Sequence, residues 1–449
     1  MSEEKKEKGK TAAPKKAKIT PTAPKGMRDI RGDEYFDVQG FIEKAAEIAI
    51  YYGFAPIETP ILEKEELYAP VGEYTDIVKK EMYSLRTKGG DRLAMRPEGT
   101  SAIVRAYIEH GMHTQPQPVM FYYSGPYFRH DKPQRGRFRE FRQFGLEVLG
   151  TEKSIADAII IRVLLTILNE AGVENVCVEI NSLGDKDCRT AYKRALASYF
   201  KKHTNKLSSD AKDLLKNNPL RLLDSKDPEI EKLKDAAPQS IEFLQGPAKQ
   251  HFKEVLEYLD ALDITYQINS NLVRGLDYYN RTAFEFKEIL SDEDVEEKEE
   301  KKRPIEFGGG GRYDYLGRML GARRPVPAVG GAIGVDRILM LTKHKNLTPR
   351  IVKKPKVFFI QLGFEAKLKS LCVVEILRKG RLPVKHSLSK DGLTSQLAMA
   401  EKLKIPWVII MGQKEVLENS IIVRNMADRS QKTVKIEALA DYIKDAIAK

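Results

Sequence analysis

A carboxylate and a hydroxyl lie two residues apart in the segment Arg96-Pro97-Glu98-Gly99-Thr100. Proline keeps the chain out of a helix and glycine permits a tight turn, so we expect Glu98 and Thr100 to project together from a loop. A carboxylate beside a hydroxyl is suited to holding an ammonium group. The alternative is that this segment only caps the short helix predicted over residues 102–110.

A cation-rich loop joins two predicted strands, residues 119–128 and 138–149. Arg129 follows the first strand, and a basic loop comes after it. The pattern predicts a hairpin that binds a polyphosphate, because one planar guanidinium group can form two parallel hydrogen bonds to phosphate oxygens. In the second strand, alternate side chains share one face, which carries Arg139, Phe141, Gln143, Gly145 and Glu147. That face suits the floor of a polar pocket better than a core; a solvated sheet face is the alternative.

A third segment, residues 272–282, reads LVRGLDYYNRT. It predicts a strand that turns at glycine and presents Arg274, followed by the paired aromatic residues Tyr278 and Tyr279. An edge strand with surface aromatics is the alternative interpretation.

The fourth segment contains two groups of small residues, 308–311 and 330–334, which precede Tyr313 and Arg337 respectively. Glycine lets the backbone approach a flat ligand such as an adenine ring, and an arginine near a helix start could hold a terminal phosphate. Neither the Walker A pattern nor the dinucleotide fingerprint is present, so a standard nucleotide-binding loop is not predicted.

The composition limits the class of protein that positions these residues. The length of 449 residues predicts two to four domains at about 100–200 residues each. The residues are 42% apolar and 31% charged, which excludes a chain that is disordered throughout. The chain has no apolar run long enough to span a membrane and no apolar segment typical of a secretory signal near its start. Its three cysteines match neither a disulfide framework nor a zinc cluster, so a reducing, cytoplasmic location is expected.

Apolar periodicity predicts the elements that carry the four segments. A helix is expected at residues 34–52, another at 154–171, and strands at 175–182, 264–274 and 281–289. The charged block at 291–303 predicts a solvated hairpin tip. Residues 328–342 predict a small-residue strand that runs into a helix.

The chain is expected to divide into four parts. Residues 1–20 predict a disordered basic tail, and residues 21–345 a catalytic domain with a helical insertion at about 185–262. A linker at 346–354 precedes an α/β domain at 355–449, whose alternating strands and helices predict a largely parallel core. Residues 356–449 contain 17 Lys and Arg against 10 Asp and Glu. Together with the net charge of +12 for the chain, this excess favours a nucleic acid partner.

The four segments in this order resemble the class II aminoacyl-tRNA synthetases, specifically the histidyl-tRNA synthetase family. The resemblance covers about residues 24–449 and includes RPEGT, GPYFRHDKPQRGRFREFRQFGLE, LVRGLDYYNRTAFE and AVGGAIGVDRI. It implies an α+β catalytic domain with a six- or seven-stranded antiparallel sheet flanked by helices, an inserted helical subdomain, a C-terminal α/β anticodon-binding domain and a homodimer. The implied reaction joins histidine to ATP as histidyl-adenylate, assisted by Mg²⁺, and then transfers histidine to the terminal ribose of tRNA(His).

The resemblance also implies roles for residues at the ATP end of the site. Arg129 would hold the α-phosphate, Arg337 the γ-phosphate, and Arg274 the other side of the α-phosphate. A carboxylate attacking a phosphate is a meeting of two anions, so fixed cations lower the barrier and no protein nucleophile is needed. Arg135 and Arg137 would contact the acceptor end of the tRNA, and no residue is assigned as a metal ligand.

At the histidine end, each polar group of the amino acid has an implied partner. The α-amino group would be bound by Glu98, Thr100 and Gln143, the last also counted as catalytic with Arg129 and Arg274. The two imidazole nitrogens would be held by Glu147 and Tyr279. Tyr278 and Tyr313 would help to form the pocket wall.

One position departs from the family pattern, since Tyr315 stands where a glycine is usual after Arg312-Tyr313-Asp314. Two other functions remain open at this stage. A synthetase-like regulatory subunit of histidine biosynthesis would lack the tRNA-binding domain and the catalytic arginines. A noncatalytic RNA-binding module would not need a pocket that combines Gln143 with Glu147.

Overall fold

The computed structural model describes residues 21–72, 75–132, 136–225, 227–289, 304–341, 347, 349–350 and 355–448. The predicted basic tail, the charged block at 291–303, Arg135 and most of the predicted linker lie outside these residues. The chain separates into two compact units, Met1–Pro349 and Arg350–Lys449. The boundary falls within the segment that the sequence predicts to be a linker.

An eight-stranded sheet forms the centre of the first unit, in the order β1-β5-β6-β11-β10-β9-β7-β8. Its strands are β1 (Ala55–Pro56), β5 (Val119–Phe128), β6 (Glu140–Leu149), β7 (Val176–Ser182), β8 (Tyr266–Ile268), β9 (Asn280–Glu288), β10 (Glu306–Arg312) and β11 (Ala328–Gly334). The six inner strands are antiparallel, as the resemblance implied. The short edge strands β1 and β8 pair parallel to their neighbours, so the complete sheet is mixed.

Helices cover one face of this sheet and bury its apolar side chains. The helices of the unit are α1 (Asp33–Tyr51), α2 (Thr100–Glu109), α3 (Ile155–Glu170), α4 (Lys186–Lys201), α5 (Ser209–Asn217), α6 (Pro228–Lys234), α7 (Gly246–Ala261), α8 (Leu316–Met319) and α9 (Val335–Leu341). The first of them forms where the spacing predicts it, because Val38, Phe41, Ala45 and Ile48 lie on one buried face. These residues join the same core cluster as α3 and α7.

The opposite face of the sheet is lined by aromatic and polar residues. Its cluster includes Tyr123, Tyr127, Tyr278, Tyr279 and Tyr313, together with apolar residues of α2. A small antiparallel sheet of β2 (Leu62–Lys64), β4 (Arg92–Met95) and β3 (Ser84–Arg86) leads into α2. The tyrosine hydroxyl groups in this cluster place polar atoms on an otherwise apolar face, so we expect the candidate site on this side of the sheet.

Between β7 and β8, at residues 186–261, the described chain forms helices and no strand. We call this segment, which runs from α4 to α7 and includes a 3₁₀ turn at Pro219–Leu222, the helical module. Its own core contains Tyr192, Leu196, Phe200 and Leu222. Asp185 caps α4 by accepting hydrogen bonds from the backbone N–H groups of residues 187 and 188, which fixes where the module begins.

The second unit is built on a five-stranded sheet in the order β13-β12-β14-β15-β16. Its strands are β12 (Val357–Gln361), β13 (Val384–His386), β14 (Trp407–Met411), β15 (Ser420–Asn425) and β16 (Gln431–Lys435). Its helices are α10 (Phe364–Lys379), α11 (Leu393–Lys402), α12 (Gln413–Leu417) and α13 (Leu439–Ala448). Strand β12 pairs parallel with β13 and with β14, whereas β15 pairs antiparallel with β14 and with β16. Two of the four strand pairings are therefore parallel, fewer than the expected largely parallel core. None of the helices within the described residues is both long and apolar enough to cross a membrane.

Candidate active site

A cavity of about 1,100 Å³ opens over the polar face of the first unit's sheet. Its lining includes most of the residues singled out from the sequence: Glu98, Thr100, Arg129, Arg137, Gln143, Arg274, Tyr278, Tyr279 and Arg337. They come from β5–β6, the start of α2, the segment before β9, and α9. The fold therefore brings together side chains that are more than two hundred positions apart in the chain.

Each of the three arginines at this cavity is anchored to a different element. The Nε of Arg129 donates to the carbonyl oxygen of Pro97 at 3.0 Å, and its guanidinium lies over the ring of Phe141. Arg274 pairs with Glu285 of β9, and Arg337 donates to the carbonyl oxygen of Glu306. Burial lowers the pKa of Arg129, but an arginine stays protonated at neutral pH, so three fixed cations face one hollow.

Arg274 does not lie on a strand, contrary to the expectation from residues 264–274 and 272–282. The strand β8 ends at Ile268, and the chain then turns because the Asn269 side chain accepts from the N–H of Asn271 while its carbonyl accepts from the N–H of Leu272. Residues 269–279 form a loop that leads into β9. The arginine and the tyrosine pair are therefore presented from a loop.

Glu98 performs the capping role that the sequence left as an alternative, and it also lines the cavity. Its carboxylate accepts from the backbone N–H groups of Thr100 (2.6 Å) and Ser101 (3.0 Å) at the start of α2. The hydroxyl of Tyr278 also donates to it at 3.3 Å. Burial raises the pKa of Glu98, and the hydrogen bonds from Ser101 and Thr100 partly offset this rise.

Glu147 is fully buried, and it lies behind the cavity lining with Tyr313. Its Oε1 accepts from the hydroxyls of Thr100 (2.7 Å) and Tyr123 (3.2 Å), and its Oε2 accepts from Tyr313 at 2.5 Å. Burial raises the pKa of Glu147 to about 8, because neutral hydroxyl donors only partly replace water. In the substrate-free protein, a pKa of about 8 keeps a proton on Glu147 at neutral pH. When it is ionised, the carboxylate can accept one more donor at Oε2, which has one lone-pair position without a partner among these hydroxyls.

The glycines of β10 and β11 also make room for neighbouring groups of the protein. A Cβ on Gly330 would lie 1.5 Å from Oε2 of Glu147, and one on Gly310 would lie 2.0 Å from the carbonyl oxygen of Gly330. Gly308, Gly309 and Gly331 do line the cavity. The small residues therefore serve partly to admit the Glu147 carboxylate and to pack two strands closely.

Tyr315 does not disturb the loop after Tyr313, although a glycine is usual at its position. Its backbone has φ −96° and ψ −13°, which any residue adopts, and it immediately precedes α8. The position makes no demand for glycine in this chain.

The sequence did not indicate two residues that shape the site. Tyr123 contacts Glu147, and it pairs across the sheet with Gly145, where a Cβ would lie 2.2 Å from the Tyr123 ring. A glycine inside a strand marks such a close approach, so the signal was present. Asp336 binds Nη2 of Arg28 at 2.9 Å and the N–H of Arg142 at 2.5 Å, and so fixes the start of the helix that carries Arg337.

Comparison with known proteins decides the family. A sequence model described as histidyl-tRNA synthetase matches residues 26–338, and one described as an anticodon-binding domain matches residues 356–446. A histidine–tRNA ligase of Dehalococcoides mccartyi is 38% identical over 426 residues, which is 95% of this chain and 99% of that protein. The chain belongs to the histidyl-tRNA synthetase family. Histidyl-tRNA synthetases join histidine to tRNA(His) through an adenylate, so the prediction of a histidine–tRNA ligase is confirmed.

Solved structures agree with this membership of the histidyl-tRNA synthetase family. The apo histidyl-tRNA synthetase of S. aureus superposes with a TM-score of 0.76 at 29% identity, covering 94% of this chain and 99% of that one. A Bacillus halodurans chain described as an ATP phosphoribosyltransferase regulatory subunit/histidyl-tRNA synthetase shares the fold at 20% identity and a TM-score of 0.58. The anticodon-binding match and the three cavity arginines argue against the regulatory-subunit alternative for this chain.

Proposed function

We propose that the cavity of the first unit binds histidine beside ATP and forms histidyl-adenylate there, before transfer of histidine to the terminal ribose of tRNA(His). The observation that carries this proposal is the meeting of Arg129, Arg274 and Arg337 at one cavity that also contains Glu98. Cations on one side and buried acceptors on the other match a ligand pair of a polyphosphate and an ammonium-bearing amino acid.

At the ATP end, we assign Arg129 and Arg274 to the α-phosphate and Arg337 to the γ-phosphate. The attacking histidine carboxylate and the phosphate repel each other, and charge accumulates on the phosphoryl oxygens in the transition state. Each guanidinium is held by a carbonyl or a carboxylate of the protein. Cations fixed in this way stabilise the developing charge without first having to reorganise.

At the histidine end, Glu98, Thr100 and Gln143 are the proposed partners of the α-amino group. The hydroxyl of Thr100 donates a hydrogen bond to Glu147, so its oxygen retains a lone pair that can accept from an ammonium. The Glu98 carboxylate lies at the cavity surface, close to the N-terminus of α2. Gln143 lines the same wall, opposite Gly125 in the sheet.

The imidazole is proposed to lie between Glu147 and Tyr279, with Tyr278 and Tyr313 as the pocket wall. The ring centroids of Tyr278 and Tyr279 are 4.8 Å apart, and those of Tyr278 and Tyr313 are 5.9 Å apart. An imidazole that bonds at both nitrogens satisfies these buried polar groups, whereas an apolar analogue would leave them unpaired. A site of this kind rejects such analogues by about 10⁴-fold or more.

Mg²⁺ is proposed to accompany ATP at the end of the cavity near Glu285 and Glu306. Both carboxylates line the cavity, and their mutual repulsion contributes to raising the pKa of Glu285, after the larger effect of burial. Mg²⁺ is usually bound by one or two carboxylates together with substrate phosphates, so two carboxylates at this end would suffice. The ion would neutralise charge on the phosphates.

The tRNA partner is proposed to bind both units, with the anticodon on residues 355–449 and the acceptor end near Arg137. The Nη1 of Arg137 lies 3.4 Å from Oδ2 of Asp131, and its side chain faces the cavity. Arg135 has the same proposed role but falls outside the described residues. We further propose that the protein is a cytoplasmic homodimer.

ATP–pyrophosphate exchange across the twenty amino acids tests this function. We expect exchange with histidine alone, and charging of tRNA(His) when the tRNA is added. Exchange that is absent with every amino acid would overturn the proposal and favour a regulatory or RNA-binding protein. Replacement of Arg137 by alanine should weaken tRNA charging while sparing exchange, and the charging should be sensitive to salt because phosphate contacts release counterions.

A further inference from the structure

One acidic residue of the loop before β9 points away from the cavity and contacts the helical module. Arg274, Tyr278 and Tyr279 line the cavity. In the sequence, Asp277 lies between Arg274 and the two tyrosines. Its Oδ1 accepts from Nε and Nη2 of Arg221 at 3.1 and 2.8 Å, and from Nδ2 of Asn218 at 2.8 Å. The side chain of Asp277 therefore attaches this loop to the helical module.

Two arginines of the module also hold the backbone of this loop. Arg221 donates from Nη1 to the carbonyl oxygen of Arg274 at 3.2 Å. Arg189 of α4 donates to the carbonyl oxygens of Tyr279 and Asp277, both at 3.0 Å. Hydrogen bonds from a charged donor are stronger than neutral ones, and the Arg221 side chain is only 8% exposed.

The opposite side of Asp277 is fixed as well. Its backbone N–H donates to the carbonyl oxygen of Val71 at 2.9 Å. A Cβ on Gly72 would lie 2.2 Å from Oδ2 of Asp277, and Gly72 has φ +111°, a conformation that favours glycine. The loop is thus clamped between the segment at 71–72 and the helical module.

We propose that Arg189 and Arg221 are positioning residues for histidine activation: through Asp277 they set the loop that presents Arg274, Tyr278 and Tyr279. The inference rests on the proposed function of the cavity. It gives the helical module a task in the first half-reaction, which uses no tRNA. Arg129 and Arg337 are held by other elements, so the module should govern the use of histidine more than the binding of ATP.

Steady-state exchange kinetics on the full chain test this proposal with Arg189→Ala and Arg221→Ala. We expect kcat/KM for histidine to fall by about 10- to 100-fold in each variant, because a displacement of about 1 Å at a reacting group costs on that order. The KM for ATP should rise less than the KM for histidine, since Arg129 and Arg337, two of the three proposed phosphate ligands, are held by other elements. Lys232→Ala is the matched control, because Lys232 pairs with Glu229 on the exposed surface of the same module.

Two further measurements separate positioning from general stability. Arg221→Lys keeps the charge but cannot reach Asp277 and the Arg274 carbonyl together, so it should lower kcat/KM for histidine in a protein with a near-normal thermal midpoint. The double variant Arg221→Ala/Asp277→Ala should lose less than the sum of the two single losses, since both substitutions remove the Arg221–Asp277 pair.

Folded Arg189 and Arg221 variants with unchanged histidine kinetics, or equal losses toward histidine and ATP, would overturn the inference. If Arg221→Ala does not fold, Arg221→Lys decides by the same criterion. Failure of the proposed function would look different, because the unaltered protein would then show no histidine-dependent exchange.

Discussion

Two buried carboxylates in the first unit, Asp157 and Glu147, have opposite electrostatic surroundings. Both are 0% exposed. Burial alone would raise the pKa of Asp157, but the charge of Arg312 and the hydrogen bonds from His251 and Arg312 hold it below its usual range. Glu147 has only hydroxyl partners, and burial raises its pKa to about 8.

The difference separates a structural charge from one that is available to a ligand. Arg312 donates to both oxygens of Asp157, to the carbonyl oxygens of Thr151 and Lys153, and to Asp314, so its charge is fully compensated. Glu147 has no cationic partner among these contacts and retains a position for one more donor. We infer that Glu147 is left incompletely compensated by the protein because a substrate can complete it.

The largest effect is expected on the Asp157 side, from Arg312→Met. Removal of one member of a buried pair leaves the other charge without compensation, which costs about 3–5 kcal/mol of unfolding free energy. Urea unfolding followed by far-ultraviolet circular dichroism measures this loss. Trp407, the single tryptophan of the chain, lies in the second unit, so its fluorescence transition should not move. A loss below about 1 kcal/mol would remove the distinction drawn here.

A matched pair of isosteric changes sharpens the comparison. Asp157→Asn should destabilise the first unit, because the buried Arg312 would lose one of its two carboxylate partners and keep only Asp314. Glu147→Gln should leave the stability nearly unchanged, since rotating hydroxyls can still satisfy an amide. This substitution should instead lower histidine-dependent exchange by about 10- to 100-fold. The reason is that an amide cannot form the charged hydrogen bond proposed between Glu147 and the imidazole, which is worth ~1.5–3 kcal/mol.

ATP kinetics provide the control for this pair, because Glu147 lies at the histidine end of the proposed site. Equal damage to the use of ATP and histidine by Glu147→Gln would contradict the assignment. A destabilised Glu147→Gln variant would contradict the electrostatic argument.

Sequence patterns located the elements of this site better than the contacts between them. The strand 119–128 was predicted at its observed bounds, because its residues are aromatic and β-prone throughout. The strand β16 was missed because only Val434 of its five residues is buried, which leaves no alternation to detect. The pairing of Asp157 with Arg312 joins residues 155 positions apart, and no local pattern specifies such a contact.

The same limit explains the interpretation of the glycine segment. From the sequence, the small residues at 308–311 and 330–334 indicate close approach, but not what approaches. Only the register of β10, β11 and β6, which pairs Gly330 with Gly311 and with Glu147, shows that a protein carboxylate fills part of the space.

Gly330→Ala tests this packing around Glu147 with a smaller expected effect. The added Cβ would meet Oε2 of Glu147 at 1.5 Å, so the carboxylate or the strand must move, at a cost of about 1–3 kcal/mol. The KM for histidine should rise as Glu147 leaves its hydroxyl partners. Gly334→Ala is the control for stability, because its Cβ would make only an ordinary contact of 3.6 Å with Arg337. Equal thermal midpoints for the two variants would be the contrary result.

The smallest effect is a difference in how stability depends on pH. The pKa of Glu147 rises from an ordinary 4.5 to about 8 on folding, so the folded protein holds a proton that the unfolded chain has already released. Its stabilising contribution is complete below about 4.5 and is lost as the pH rises toward 8. The pKa of Asp157 is lowered on folding from 3.8, so its contribution is complete above that value and is lost only in acid.

Thermal midpoints measured between about pH 6 and 8.5 should therefore fall more steeply for the unaltered protein and for Asp157→Asn than for Glu147→Gln. Three parallel curves would mean that the burial of Glu147 does not hold its proton, and the contrast between the two carboxylates would then rest on geometry alone.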